Sequence, residues 1–188
     1  MADEDLGEEA AQAQATLYGL FAALDLTWRH HAHPPFHTVE ESRAMRGEMP
    51  GAHVKNLFLK DKKGTLWLVT CLEDRQIRIR DLEKAVDARK ASFGNADLLW
   101  QTLAVRPGAV TPFALMRQTA ADVRFVLDAA VPAHGMFYAH PLHNRATTAM
   151  PWGDVARFFA HVGHTPLMLD FAPLEALARE HAARETGA

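Results

Sequence analysis

Leu66-Trp67-Leu68-Val69 is apolar at four successive positions. A strand with one wet face alternates, so an unbroken apolar run marks a strand covered on both faces. Its partner lies just upstream. Val54 and Leu57-Phe58-Leu59 carry a second strand signal, and Lys60-Asp61-Lys62-Lys63-Gly64 is a polar connection with a glycine. Residues 54–59 and 65–71 therefore read as a hairpin. A hairpin with one arm covered twice must lie mid-domain, with other elements layered against it.

Those elements are legible along the chain. Leu17, Leu20, Phe21 and Leu24 fall at helical spacing, which predicts an amphipathic helix over about 8–24. Residues 28–33 read as a short strand ended by Pro34-Pro35. Thr38 and Glu41 form a capping box for a helix that ends before Pro50-Gly51. Short helices are expected at 81–87 and 96–104, and a second hairpin at 110–116 and 123–128. Residues 137–140 and 145–150 flank a Pro141 turn as short strands. Pro151 opens a helix carrying Val155, Phe158, Phe159 and Val162, and Gly163 stops it. A last strand at 166–171 and a helix at 174–185 complete the chain. Strands and helices interleave, yet several strands pair as hairpins. The fold class is therefore α+β: a single domain with a mixed β-sheet and surrounding helices. A chain of 188 residues suits one domain.

Charge divides the chain. Asp3, Glu4, Asp5, Glu8 and Glu9 stand among the first ten residues with no base. Residues 1–14 therefore read as an acidic, flexible extension that frays, ahead of a folded domain at 15–188. Setting those five acids aside turns the net charge of −3 into +2. A nearly neutral body suits gripping the end of a nucleic acid, not wrapping a duplex. There is no apolar run of the ~18 residues a membrane span needs, and the N-terminus lacks the regions of a signal peptide. The expected location is the cytoplasm, with no membrane partner. The one cysteine, Cys71, lies in an apolar run and reads as an inert buried thiol.

Much chemistry is absent from the motifs. His30, His31, His33 and His37 cluster, but no carboxylate or cysteine stands at ligand spacing, so no metal is expected. The only serines, Ser42 and Ser92, sit in no nucleophile elbow. No glycine-rich phosphate cradle occurs, so no cofactor is expected. An enzyme of this kind would act on a substrate that is already activated, such as an ester. Three stretches then stand out. Lys55 and Asn56 interrupt a strand. Alternation alone turns Lys55 to solvent, while a cleft would let its ammonium hold an anion or polarise a carbonyl. Gly108-Ala109-Val110-Thr111-Pro112 is either a plain connection or a rigid loop with N–H groups aimed at an oxyanion. His140-Pro141-Leu142-His143-Asn144-Arg145-Ala146-Thr147-Thr148 is either a capped turn or a pocket rim.

Together, these stretches, residues 51–60 and Ser92-Phe93-Gly94 resemble the bacterial prolyl-tRNA synthetase editing-domain family, also called YbaK-like. Within it they are most similar to the freestanding ProX-type deacylases that clear alanine from mischarged tRNA(Pro). The resemblance runs in order from about His33 to Phe171. It implies a curved mixed sheet and metal-independent hydrolysis of an aminoacyl ester, assisted by the substrate's ribose hydroxyl. By the same resemblance Lys55 matches the family's essential lysine, and Asn56 its neighbour in the pocket. Gly108, Ala109, Val110, Thr111 and Pro112 match the loop that approaches the ester, and His140 matches the pocket histidine. Asn144, Thr147 and Thr148 are expected to bind substrate. The implied partner is the acceptor end of tRNA(Pro) carrying alanine, with prolyl-tRNA synthetase a second candidate. Two rivals stay open: a deacylase of Cys- or Ser-tRNA, and a non-catalytic module that binds tRNA or synthetase. With Lys55 in this company, the expectation becomes a cleft beside the glycine loop.

Overall fold

The computed structural model describes residues 2–35 and 49–185. Helix α1 (Ala2–Ala23) precedes β1 (Arg29–Ala32), β2 (Ala52–Lys60) and β3 (Leu66–Leu72). Then come α2 (Ile79–Val86), β4 (Ser92–Phe93), α3 (Ala96–Leu103) and β5 (Arg124–Asp128). Strands β6 (Met136–Ala139) and β7 (Ala146–Pro151), helix α4 (Trp152–His161), β8 (Leu167–Leu169) and α5 (Ala172–Glu185) follow. The sheet order is β1-β7-β6-β2-β3-β5-β8, with β4 also on β2. Pairing is antiparallel for β2 with β3 and parallel for β3 with β5 and β2 with β6, so the sheet is mixed.

The predicted central hairpin is present. Strand β3 feeds two cores, one on each face. Leu68 joins Phe58, Phe113, Phe137 and Phe158 on the α1 side. Trp67, Val69 and Cys71 join Leu82, Phe171 and Leu174 on the α2–α5 side. Fully burying one such aliphatic side chain contributes roughly 1.5–3 kcal/mol. The hairpin turn is tied by Asp61, whose carboxylate accepts from the N–H groups of Lys63 and Thr65 at 2.9 Å.

Three expectations change. Residues 112–116 form a 3-10 turn, not a strand. Pro112 has no N–H for a ladder, and the Thr111 hydroxyl accepts from Phe113 N–H at 3.4 Å. Strand β5 therefore lacks that hairpin partner and lies parallel to β3 instead. Helix α1 runs through the head expected to fray. Its third and fourth turns are held: Glu9 pairs with Arg106 at 3.3 Å, and Gln14 with His143 at 2.9 Å. The helix expected from Thr38 lies outside the described residues.

Strand β2 meets β6 only at Ala52 and His53, and β4 only at Leu59 and Lys60. Its edge between these contacts is unpaired. Gly51 permits the first contact. It has φ of +143°, and a Cβ there would lie 2.6 Å from the Tyr138 ring. The sheet therefore forks along Val54–Leu57, where β2 and β6 part.

Candidate active site

The fork is where the sequence-predicted residues gather, on two faces. Ala52, Val54 and Phe58 pack into the α1-side core, and Leu57 and Leu59 into the other. Alternation thus puts Asn56 on the first face and Lys55 on the second. The structure does not bring these neighbours into one pocket wall.

On the first face Asn56 is clamped at both ends. Its Oδ1 accepts from the Thr70 hydroxyl at 2.7 Å, and its Nδ2 donates to the Val110 carbonyl at 2.9 Å. The glycine loop is therefore fixed to β2 by Asn56. The backbone of Asn56 adds to this. His53 C=O accepts from Glu73 on the β3 side, while Phe58 C=O accepts from Gly94 on the other. By the same alternation, the Asn56 N–H and C=O point into the fork. In the loop, Ala109 N–H is used by Arg106 C=O at 3.0 Å. The N–H groups of Gly108 and Val110 make no hydrogen bond among the described residues. Gly108 is exposed with φ of +85°, and a Cβ there would lie 3.6 Å from Asn144 Nδ2. The loop and the 140–148 turn thus meet at Gly108 and Asn144. Thr111 and Pro112 are buried and serve the 3-10 turn.

On the second face Lys55 is half-buried, and its ammonium donates to the Arg75 carbonyl. Arg75 is itself anchored. Its guanidinium bonds Asp128 at 2.8 Å and Glu175 at 2.6 Å. Parallel register sets Tyr138 beside His53, with their rings stacked at 4.2 Å. The next residues on that face are Lys55 on β2 and His140 just past β6. His140 Nδ1 pairs with Ala146 C=O at 2.9 Å, and its ring lies 6.0 Å from His33. His33 Nε2 pairs with the Thr147 hydroxyl at 2.9 Å. Thr148 is buried on the opposite face, where its hydroxyl meets Tyr18 Oη at 2.8 Å.

The electrostatics favour neutral imidazoles. Burial lowers His140, partly offset by the Ala146 bond, and His33 lowers it further. Burial, with His140, His30, Arg145 and His33 adding, holds His143 down to about 4. Burial pushes the Cys71 thiol up to about 12, so it is no nucleophile at neutral pH. Because the folded state disfavours protons on His140 and His143, the unfolded chain binds more of them in acid. Stability should therefore fall as pH drops from about 6.5 toward 4. Urea midpoints at pH 7 and 5 check this, and His143→Gln should lose part of the difference.

Sequence reasoning missed Arg75, Asp128, Tyr18 and His33 as partners of the predicted residues. One signal was available: Asp128 ends the apolar run Phe125-Val126-Leu127, and a buried acid needs a cation. Among the described residues, no group of three His, Cys, Asp or Glu side chains is placed to hold a metal ion.

The model of the aminoacyl-tRNA editing domain family matches residues 33–158. The chain belongs to that family. A Bos taurus relative of this editing domain is named prolyl-tRNA synthetase associated domain-containing protein 1. It is 40% identical over 166 residues, covering 86% of this chain and 96% of that protein. The prolyl-tRNA editing protein ProX of Acetoanaerobium sticklandii is 32% identical over 134 residues, covering 71% and 82%. Among solved structures, a candidate trans-editing enzyme for prolyl tRNA synthetase superposes with a TM-score of 0.62. It covers 84% of this chain and 96% of that one at 15% identity, a likeness of fold alone.

Proposed function

We propose that this editing domain hydrolyses the ester of alanine mischarged onto tRNA(Pro), using water and no protein nucleophile. The observation that carries the reading is the fork in the sheet, where Asn56 pins the Gly108–Pro112 loop beside an unpaired strand edge. The name of the ProX relative, a prolyl-tRNA editing protein, supports editing of a prolyl-tRNA. An aminoacyl ester is activated, so what it needs from a protein is orientation and charge stabilisation. The ribose 2′-hydroxyl next to the ester places or activates the water. The N–H groups of Gly108 and Val110 face the developing oxyanion. Ala109, Thr111 and Pro112 shape that loop. Lys55 anchors the terminal phosphate or the ester carbonyl from the other side of the fork. An ammonium has three donors, and the Arg75 carbonyl takes one. His140 and Thr147 line that side, and Asn144 closes the rim over Gly108. Thr148 contributes by fixing α1 through Tyr18.

Alanine and proline differ in size, so the fork acts as a sieve that admits a methyl and excludes a ring. Deacylation of Ala-, Ser-, Cys- and Pro-tRNA(Pro) tests the reading. Ala-tRNA(Pro) should react at least about 100-fold faster than Pro-tRNA(Pro), on the scale such pockets reach. Faster turnover of the Ser or Cys ester would reassign the substrate, and no turnover of any would leave a binding module. No helix among the described residues is long and apolar enough to cross a membrane. Action in the cytoplasm, beside the synthetase, belongs to the same proposal.

A further inference from the structure

We propose that the cavity between α1, the Trp100–Pro107 segment and the Leu142–Arg145 turn seats one nucleotide of the single-stranded tRNA 3′ end, its base against Trp100 and its phosphate on Arg106. The inference rests on the reading of the substrate as an aminoacyl-tRNA and adds where the nucleotide next to the ester goes.

The cavity has a volume of about 190 Å³. That is below the roughly 300 Å³ at which sites for drug-sized ligands begin, so it takes one ring system. Ala109, in the loop assigned to the ester, and Pro107, just ahead of that loop, both belong to its wall. It therefore begins where the site for the ester ends, and a strand leaving the ester enters it. Its chemistry is that of a single-strand binder, a flat aromatic beside cations. Trp100 is 37% exposed, and the Arg106 guanidinium lies over its ring, 4.1 Å from the centroid. Arg145, also on the wall, supplies a second exposed cation. The side-chain amide of Asn144 offers a donor and an acceptor for a base edge.

One contact shows what the cations prefer. Glu9 of α1 reaches across and pairs with Arg106 at 3.3 Å. Both side chains are about half-exposed, 56% and 43%. Such a pair is weak and exchangeable. A phosphate matches the guanidinium fork with better geometry and in a bidentate way. In the free protein, the Glu9 carboxylate thus occupies the seat of the phosphate. This helix is bound to the same rim through Gln14 and His143. Substrate phosphate and Glu9 compete for one arginine.

The probe is the ribotrinucleotide CCA, titrated into the full chain at several salt concentrations. Glu9→Gln should tighten binding about two- to fivefold, since an exposed competitor of that strength is removed. A gain cannot arise from misfolding. Arg106→Gln should weaken binding and lower the slope of log affinity against log salt by about 0.7, the loss of one phosphate contact on a single strand. Trp100→Ala should weaken binding at least about fivefold, with Trp100→Phe retaining most of it. Unchanged affinity and slope in Arg106→Gln, or weaker binding by Glu9→Gln, overturns the site. Deacylation of Ala-tRNA(Pro) by the wild type is measured alongside. Hydrolysis with all variants binding CCA normally sinks the nucleotide seat and spares the editing activity. CCA binding with the predicted variant pattern but no hydrolysis supports the seat and sinks the deacylase.

Discussion

Lys55→Ala is expected to lower single-turnover deacylation of Ala-tRNA(Pro) by about 10²–10³-fold, the loss that follows removal of one preorganised oxyanion donor. The fold should survive, because the main chain of β2 is paired to β3 from Val54 to Lys60 whatever side chain stands at 55. The argument turns on preorganisation. A free lysine samples many rotamers and must be ordered when substrate arrives. Here the ammonium is already tied to the Arg75 carbonyl, and that carbonyl belongs to a residue locked by two carboxylates. The charge is therefore in place before the ester enters, with two N–H donors left over. Lys55→Arg should not restore the rate, because a planar guanidinium cannot reproduce a compact point charge held on one carbonyl. Circular dichroism and a urea titration separate a catalytic loss from a folding loss. A rate like that of the wild type would remove Lys55 from the mechanism.

The second large effect is on stability. Arg75→Met should destabilise the protein by about 3–5 kcal/mol, the range for removing one partner of a buried ion pair. The Asp128 side chain is only 1% exposed. Without the guanidinium its carboxylate keeps the N–H groups of Leu72 and Ala130, at 3.3 and 3.0 Å, but loses its counter-charge. Arg75 is held more firmly protonated than an ordinary arginine, chiefly by the Asp128 bond. Adding Asp128→Asn to Arg75→Met should recover part of the loss, since a neutral amide needs no cation. Urea midpoints of the two singles and the double give the coupling. A single-mutant cost under about 1 kcal/mol would mean that the pair behaves as a solvated surface bridge.

What could be read ahead of the structure followed periodicity. The run Leu66–Val69 predicted a strand covered on both faces, and two separate cores do cover β3. Helices at 81–87 and 96–104 fell within two residues of α2 and α3. Periodicity failed where a local rule outweighed it. Val110–Met116 is apolar enough for a strand, yet Pro112 and the Thr111 cap wind it into a 3-10 turn. The acidic head looked too charged to order, but Glu9 finds Arg106 some 97 positions away, a pairing no local pattern carries. Candidate residues could be named from the sequence, but not their arrangement. Adjacent Lys55 and Asn56 suggested one pocket, whereas strand alternation sends them to opposite faces. Asn56, expected to touch substrate, spends its amide on Thr70 and Val110. Such roles depend on contacts across 14 and 54 positions, which one sequence does not display.

The fork in the sheet has a mechanical meaning. Strand β2 is the wall of the opening and also the strand between the two cores. To move this wall, β2 would have to tear from β3 along seven paired residues and disturb packing on both faces. A sieve discriminates by size only as well as its frame resists being stretched. Here one wall of the frame is the middle of the fold itself, so that wall is as stiff as the protein is stable.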